Sequence, residues 1–297
     1  MRQSKSIEKL AHFGSTVRGT AVRDYSDLDI LSIIRGPRPD QPLESVQIII
    51  DSLESALDGY LDVEQDYPAV KVLDPFTGLP IDFIPAHRNG QGNYSIYDVA
   101  TGSWILTTPH LHNTYITQTK RYDRHAPTIF RLIKVWNFLA ELKLSSLYLE
   151  LSAATTLREA SYDNILRVFL ACLTDLQANR LRALPDPVMP GEREIQPGIA
   201  GFNRDEVMEL LENSIDYGHA ADAAEKARSR EQCQEFLACM LPHSLSQSSG
   251  SSYQADRDRL RNFVEKFRQD PRYRDQLPRR TRHQTYHRRR DKPFSLG

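Results

Sequence analysis

The first third of the chain alternates apolar and polar positions in short runs, and the rest carries apolar residues at helical spacing. Ile7–His12 and Leu28–Ile34 have the length and composition of strands, with a short helix predicted over Thr16–Val22 between them. Gly36-Pro37, Pro39 and Pro42 end the second strand. From Leu43 to Tyr60, Val46, Ile49, Ile50, Leu53 and Leu57 recur on one face of a helix expected to pack on the sheet. Ala69–Leu73 and Leu79–Ile84 read as a hairpin closed by the turn-rich segment Asp-Pro-Phe-Thr-Gly. After residue 126 the period becomes helical. Ile129, Leu132, Ile133, Trp136 and Leu139 form the buried stripe of a helix over Pro127–Leu142, with Lys134 off that stripe. Leu149–Ala160, Tyr162–Asn179, Arg204–Asn213 and Ile215–Met240 continue as helices, and the proline-rich Leu184–Gly201 reads as a loop.

That order predicts an α+β chain, a mixed β-sheet lobe with helices over residues 1–125 and a helical lobe over 126–243. A Ser-rich linker and basic tail follow over 244–297, with a short amphipathic helix predicted at Asp256–Phe267. No run of 18 apolar residues and no secretory leader pattern occurs, so the expectation is a cytoplasmic protein that does not enter a membrane. Cys172, Cys233 and Cys239 lack C-x-x-C spacing, which argues against a zinc ribbon or disulfide framework and leaves them as buried apolar thiols. The formal net charge of −1 hides an asymmetry: residues 253–297 carry a net of +8, leaving the first 252 residues at −9. An acidic body is poorly suited to a long phosphate backbone, which needs Lys and Arg to displace counterions. Small metal-bound nucleotides suit it better, and nucleic-acid contact is confined to the basic tail.

The densest chemistry lies in Phe13–Leu31, where a Gly-Ser pair precedes two carboxylates one residue apart. Strand alternation places Asp27 and Asp29 on one face, about 6–7 Å apart, with Leu28 and Ile30 pointing into the core. Such a pair suits Mg²⁺, which takes one or two carboxylates together with substrate phosphates. Gly14 and Ser15, at the turn into the short helix, offer backbone N–H groups to a phosphate. A third carboxylate, Asp82, stands between Ile81 and Phe83 in an apolar strand, where a lone charge is costly unless paired or metal-bound. Three carboxylates on adjacent strands would supply a site for two Mg²⁺ ions, with Mn²⁺ as a substitute, activating an attacking hydroxyl and neutralising a leaving pyrophosphate.

Phe13–Leu31 resembles the signature of the polymerase-β-like nucleotidyltransferases. Further blocks resemble one branch, the bacterial CD-NTases related to cyclic GMP-AMP synthase and oligoadenylate synthase: YPAVKV (67–72), PIDFIPA (80–86), GSWILTTPHLH (102–112), RLIKVWN (131–137) and LSSLYLE (144–150). The resemblance implies a catalytic lobe and a helical lobe with the active site in the cleft between them. It also implies condensation of NTPs into a cyclic di- or trinucleotide signal for anti-phage defence. By the same resemblance Lys134 and Ser146 bind the triphosphate, Tyr148 lines the nucleotide cleft, and an Asp-Pro such as Asp186-Pro187 recurs in the loop. Some members of the resembled family work beside a ubiquitin-ligase-like enzyme that conjugates their C-terminal glycine, so the resemblance implies such a partner for Gly297, at the end of an exposed tail. The family's N-terminal helix spans both lobes, whereas six residues precede the first predicted strand here; either the natural chain starts further upstream or, if it starts here, the lobes are expected to be loosely held. Transfer of NMP to a protein, RNA or small-molecule acceptor is the alternative chemistry for the same carboxylates.

Overall fold

The computed structural model describes residues 6–22, 26–57, 63–66, 68–74, 77–90, 92–99, 101–159, 163–198 and 203–240. The linker, the predicted helix at Asp256–Phe267 and Gly297 lie outside these residues.

The chain opens with β1 (Ile7–His12), the one-turn α1 (Gly14–Arg18), β2 (Leu28–Ile34) and α2 (Leu43–Leu57). It continues through β3 (Val63–Asp66), β4 (Ala69–Leu73), β5 (Pro80–Arg88), β6 (Tyr94–Asp98) and β7 (Ser103–Thr107). These seven strands form one mixed sheet in the order β1-β2-β5-β4-β3, with β6 paired to β5 and β7 to β6. β2 and β5 run parallel, and every other pair is antiparallel. Period-2 alternation gives β2 two apolar faces. Ile30 and Ile34 pack with Val70, Val72 and Phe83 beneath Val46 and Ile49 of α2, while Leu31 and Ile33 pack with Ala86 on the opposite face. The β4–β5 hairpin closes as its turn residues predict. The Gly78 N–H donates to the Asp74 carbonyl at 2.8 Å, from the left-handed backbone that favours glycine (φ 69°).

The helical part comprises α3 (Pro109–Gln118), a single turn at Thr119–Arg121, α4 (Ala126–Leu139), α5 (Ser146–Glu159), α6 (Ile165–Ala178), β8 (Leu184–Pro185), β9 (Glu194–Ile195), α7 (Arg204–Lys226) and α8 (Arg230–Met240). Its core reaches back past residue 125, since Ile116 of α3 belongs to it together with Ile133, Trp136, Leu149, Leu173 and Leu211. α5 is buried on nearly every side and forms the centre of this part. The break expected near Ser214 does not occur. Its hydroxyl accepts the Trp136 indole N–H at 2.9 Å, holding α7 against α4, and the helix ends at Lys226 instead, before Arg228 turns to a left-handed φ of 58°.

The proline-rich loop contains the small β8–β9 pair, Leu184 opposite Ile195. Its Asp186 accepts from the ring of His112 on α3 at 2.9 Å, both side chains buried. Hydrogen bonding to His112, with the Val188 N–H and nearby Arg193, holds the Asp186 carboxyl below its ordinary range despite burial. Arg193 in turn donates to the Leu106 carbonyl of β7, so the loop straps the helical part to the sheet. Cys172 is buried, with its thiol pushed up well above the ordinary range by desolvation, whereas Cys233 is half-buried and Cys239 exposed, which corrects the expectation of three buried thiols. Among the described residues no helix is long and apolar enough to cross a membrane.

Candidate active site

The parallel register of β2 and β5 sets Asp29 directly opposite Asp82. Both stand on the face away from α2, because their neighbours Ile30 and Phe83 are committed to the α2 side. On the next strand Lys71 is the register partner of Asp82, its ammonium 3.9 Å from the Asp82 carboxylate. A row of Asp29, Asp82 and Lys71 thus crosses three strands. Asp27 precedes β2 and lies close enough to act electrostatically on Asp29.

Gly14 lies against this row. It has a φ of +72°, and a Cβ added to it would fall 1.9 Å from Oδ2 of Asp29 and 2.7 Å from its Cγ. Position 14 therefore requires glycine both for backbone conformation and for space. The turn is held from below, with the Phe13 N–H donating to the Asp29 carbonyl at 3.2 Å and the Thr20 N–H to the Ser15 carbonyl at 2.9 Å. Ser15 is buried. The helix that starts here ends at Arg18, short of the predicted Val22, because Gly19 adopts a left-handed C-cap with φ 69°.

Burial first, and then the neighbouring Asp82 and Asp27 charges, raise the Asp29 carboxyl to about 6 from an ordinary 3.8, against the opposing pull of Arg18 and Lys134. Carboxylates gathered in this way favour a bound cation, which would relieve their repulsion. Among the described residues no three His, Cys, Asp or Glu side chains converge into a ready-made metal cage. Mg²⁺ does not require one, since it retains waters and completes its shell with substrate phosphates.

Lys134, off the predicted apolar stripe of its helix, is nonetheless only 8% exposed and points inward. Its ammonium donates to the Thr20 carbonyl at 2.9 Å and to Oε1 of Glu150 at 3.3 Å. Burial lowers its pKa, the Glu150 charge opposes that shift, and the Asp29 charge opposes it further, so Lys134 lies within electrostatic reach of the carboxylate row. Ser146 is exposed in the first turn of α5, four residues before Glu150 and so on the same helical face. Tyr148 is elsewhere. It is fully buried in the helical core, its hydroxyl donating to the Arg182 carbonyl at 2.9 Å, because α5 is the central helix and position 148 faces inward. It does not line the cleft.

Sequence reasoning overlooked Arg18, Thr20, Lys71 and Glu150. Arg18 donates to Glu150 at 2.6 Å and Thr20 at 2.8 Å, and the Glu150 carboxylate is fully buried. The signal was legible: Glu150 is a lone acid in the apolar run Leu147–Leu151, the same anomaly that singled out Asp82.

Two outcomes follow from this geometry. Gly14→Ala displaces the Asp29 carboxylate and should lower catalytic turnover at least about 100-fold, while costing only about 1–2 kcal/mol of stability for the left-handed backbone. Paired kinetic and thermal-unfolding assays check both halves. For Asp29, the folded state holds its proton up to about pH 6 whereas the unfolded chain releases it near 3.8. Folding therefore binds protons between these values, and stability falls as pH rises through that window. In metal-free buffer Asp29→Asn should match the wild type near pH 4 and exceed its stability by about 2–3 kcal/mol at pH 7, read by denaturant titration at both pH values.

Comparison with known proteins agrees with the architecture. Residues 1–99 match the model for the nucleotidyltransferase domain. A cyclic AMP-AMP-AMP synthase of Escherichia coli (strain MS 115-1) is 25% identical over 252 residues, covering 74% of this chain and 77% of that protein. Another from Acinetobacter is 28% identical over 134 residues, 41% of this chain and 37% of that protein. In fold, the chain superposes on E. coli CdnC solved with ATP at a TM-score of 0.65, with 22% identity over 80% of this chain and 85% of that one. It superposes on Vibrio cholerae DncV, a cyclic AMP-GMP synthase solved with the linear intermediate pppA(3′,5′)pG, at 0.60 with 15% identity over 78% and 69%. The chain thus carries a nucleotidyltransferase domain, and in its mixed sheet with Asp29 opposite Asp82, its helical part and its sequence it is similar to bacterial CD-NTases.

Proposed function

We propose that this protein condenses nucleoside triphosphates into a cyclic di- or trinucleotide, the signal of an anti-phage response in the cytoplasm. The observation that carries this reading is the in-register pair Asp29 and Asp82, held against the glycine of the Gly14-Ser15 turn. The relatives lend their chemistry: the E. coli and Acinetobacter proteins are cyclic AMP-AMP-AMP synthases, and DncV holds a linear dinucleotide intermediate. These favour cyclisation over NMP transfer to a separate acceptor.

In this reading the sheet is the catalytic lobe and the helical part the second lobe, with the nucleotide between them. Asp27, Asp29 and Asp82 would hold two Mg²⁺ ions, or Mn²⁺, which supply neutralisation of the triphosphate and activation of the attacking hydroxyl. The N–H groups of the Gly14-Ser15 turn receive phosphate oxygens. Lys134, on the far side of the turn, adds a cation, and Ser146 adds a hydroxyl donor from the start of α5. Asp82, with its carboxylate on the substrate side of the sheet, serves additionally as acceptor for the proton of the attacking hydroxyl. Nothing in the relatives favours conjugation of Gly297. CdnC is solved with a HORMA partner, and a protein partner of that kind is the regulator this reading favours.

Incubating the purified chain with the four NTPs and Mg²⁺ should yield a phosphatase-resistant cyclic product by chromatography and mass spectrometry. Asp27→Asn/Asp29→Asn should reduce it at least about 100-fold. Product confined to a labelled acceptor, or unchanged in the double variant, would overturn the reading.

A further inference from the structure

Glu150 is a fully buried carboxylate that collects donors from both parts of the molecule. Oε2 accepts from Nε of Arg18, at the end of α1, at 2.6 Å. Oε1 accepts from the hydroxyl of Thr20, in the loop that follows, at 2.8 Å and from the ammonium of Lys134, on α4, at 3.3 Å. Thr20 is gripped on every polar group: its hydroxyl by Glu150, its carbonyl by Lys134 at 2.9 Å, and its N–H by the Ser15 carbonyl at 2.9 Å. Arg18 also reaches Asn113 on α3 at 3.4 Å, and Arg131, one turn before Lys134, donates to the Gly19 carbonyl at 2.8 Å. Thr20 thus joins α4 and α5 to the backbone of the Gly14-Ser15 turn.

We propose that Glu150 is a positioning residue for the triphosphate, fixing the spacing between the phosphate-facing turn of the sheet part and the ammonium of Lys134. The inference rests on the proposed roles of that turn and Lys134 in binding phosphate. It accounts for the burial of Lys134, since desolvation lowers its pKa while the hydrogen-bonded Glu150 carboxylate favours the charged ammonium, with Arg18 opposing and Asp29 adding to this. It also leaves capacity for substrate. An ammonium has three donors, and Thr20 and Glu150 take two, leaving the third for a phosphate oxygen. Two cations share one buried carboxylate, so the set carries a net positive charge facing the position of an incoming anion. Glu150 itself touches neither substrate nor metal.

A double-mutant cycle tests the coupling. Wild type, Glu150→Gln, Lys134→Met and the double variant are compared for binding of a nonhydrolysable ATP analogue with Mg²⁺ by calorimetry, alongside thermal unfolding. Each single variant should weaken binding about tenfold or more, as expected for a lost charged hydrogen bond, and the double variant should be no weaker than the worse single. Glu150→Asp, which keeps the charge, should bind more tightly than Glu150→Gln. A lowered melting temperature with unchanged affinity, or single effects that multiply in the double variant, would overturn the proposal. Should Glu150→Gln fail to fold, Thr20→Val removes one donor without stranding a charge. It should weaken binding roughly three- to tenfold, and unchanged affinity would count against Glu150 just as firmly. A wild type that binds no nucleotide would overturn the reading of the site itself and this inference with it. A wild type that binds, beside variants that bind equally well, would overturn Glu150 alone.

Discussion

The parallel pairing of β2 with β5 is the constraint on which the site depends. Among the described residues it is the one parallel ladder in the sheet, and its register places Asp29 beside Asp82. A slip of one residue in either strand would put the two carboxylates on opposite faces of the sheet and turn Ile30 or Phe83 away from α2, so the hydrophobic core and the carboxylate row are fixed by the same alignment. Burial first, and then the repulsion built into the row, raise the Asp29 carboxyl. The apolar packing beneath the strands holds like charges together that would otherwise separate, and this makes the row receptive to a divalent cation.

A second buried carboxylate has the opposite character. Asp29 sits among like charges, whereas Glu150 sits among donors, and the two are linked through Arg18 and Lys134, which act on both. Removing one partner from a buried charged set strands the remainder at a cost of about 3–5 kcal/mol, so such a set is rigid in a way that surface pairs are not. The contrast lies in the Arg88–Glu8 pair between the end of β5 and the edge strand β1, exposed to solvent and contributing little. Among the described residues the sheet and helical parts are joined by the Glu150 set, by Arg18 on Asn113, by Arg131 on the Gly19 carbonyl and by Arg193 of the proline-rich loop on the Leu106 carbonyl.

Much of this was legible in the residues because local chemistry and global fold agree there. Ile7–His12, Leu28–Ile34 and Ala69–Leu73 appear as strands with the bounds their alternation predicts. Asp82 was found from its cost, as an acid in an apolar strand. What escaped depends on tertiary context. α3, with the polar sequence Pro109–Gln118, has no apolar stripe and gains its place through Ile116 and His112. Lys134 points differently from its place off the apolar stripe because α5 lies at the centre of the helical part, so that even off-stripe positions on its neighbour are enclosed, and Tyr148 of α5 is core for the same reason. The role of Glu150 needs Arg18 and Thr20, which are more than 100 residues away in sequence and cannot be paired with it by spacing.

The central claim is that Asp29 and Asp82 act together as ligands of a divalent cation carrying the triphosphate. A crystal structure with Mn²⁺ and a nonhydrolysable ATP analogue, phased to reveal Mn²⁺ by anomalous scattering, addresses it directly. The account predicts anomalous density in contact with the carboxylates of both Asp29 and Asp82, with phosphate oxygens completing the coordination beside the Gly14-Ser15 turn. Nucleotide bound with its metal away from these two carboxylates would contradict it.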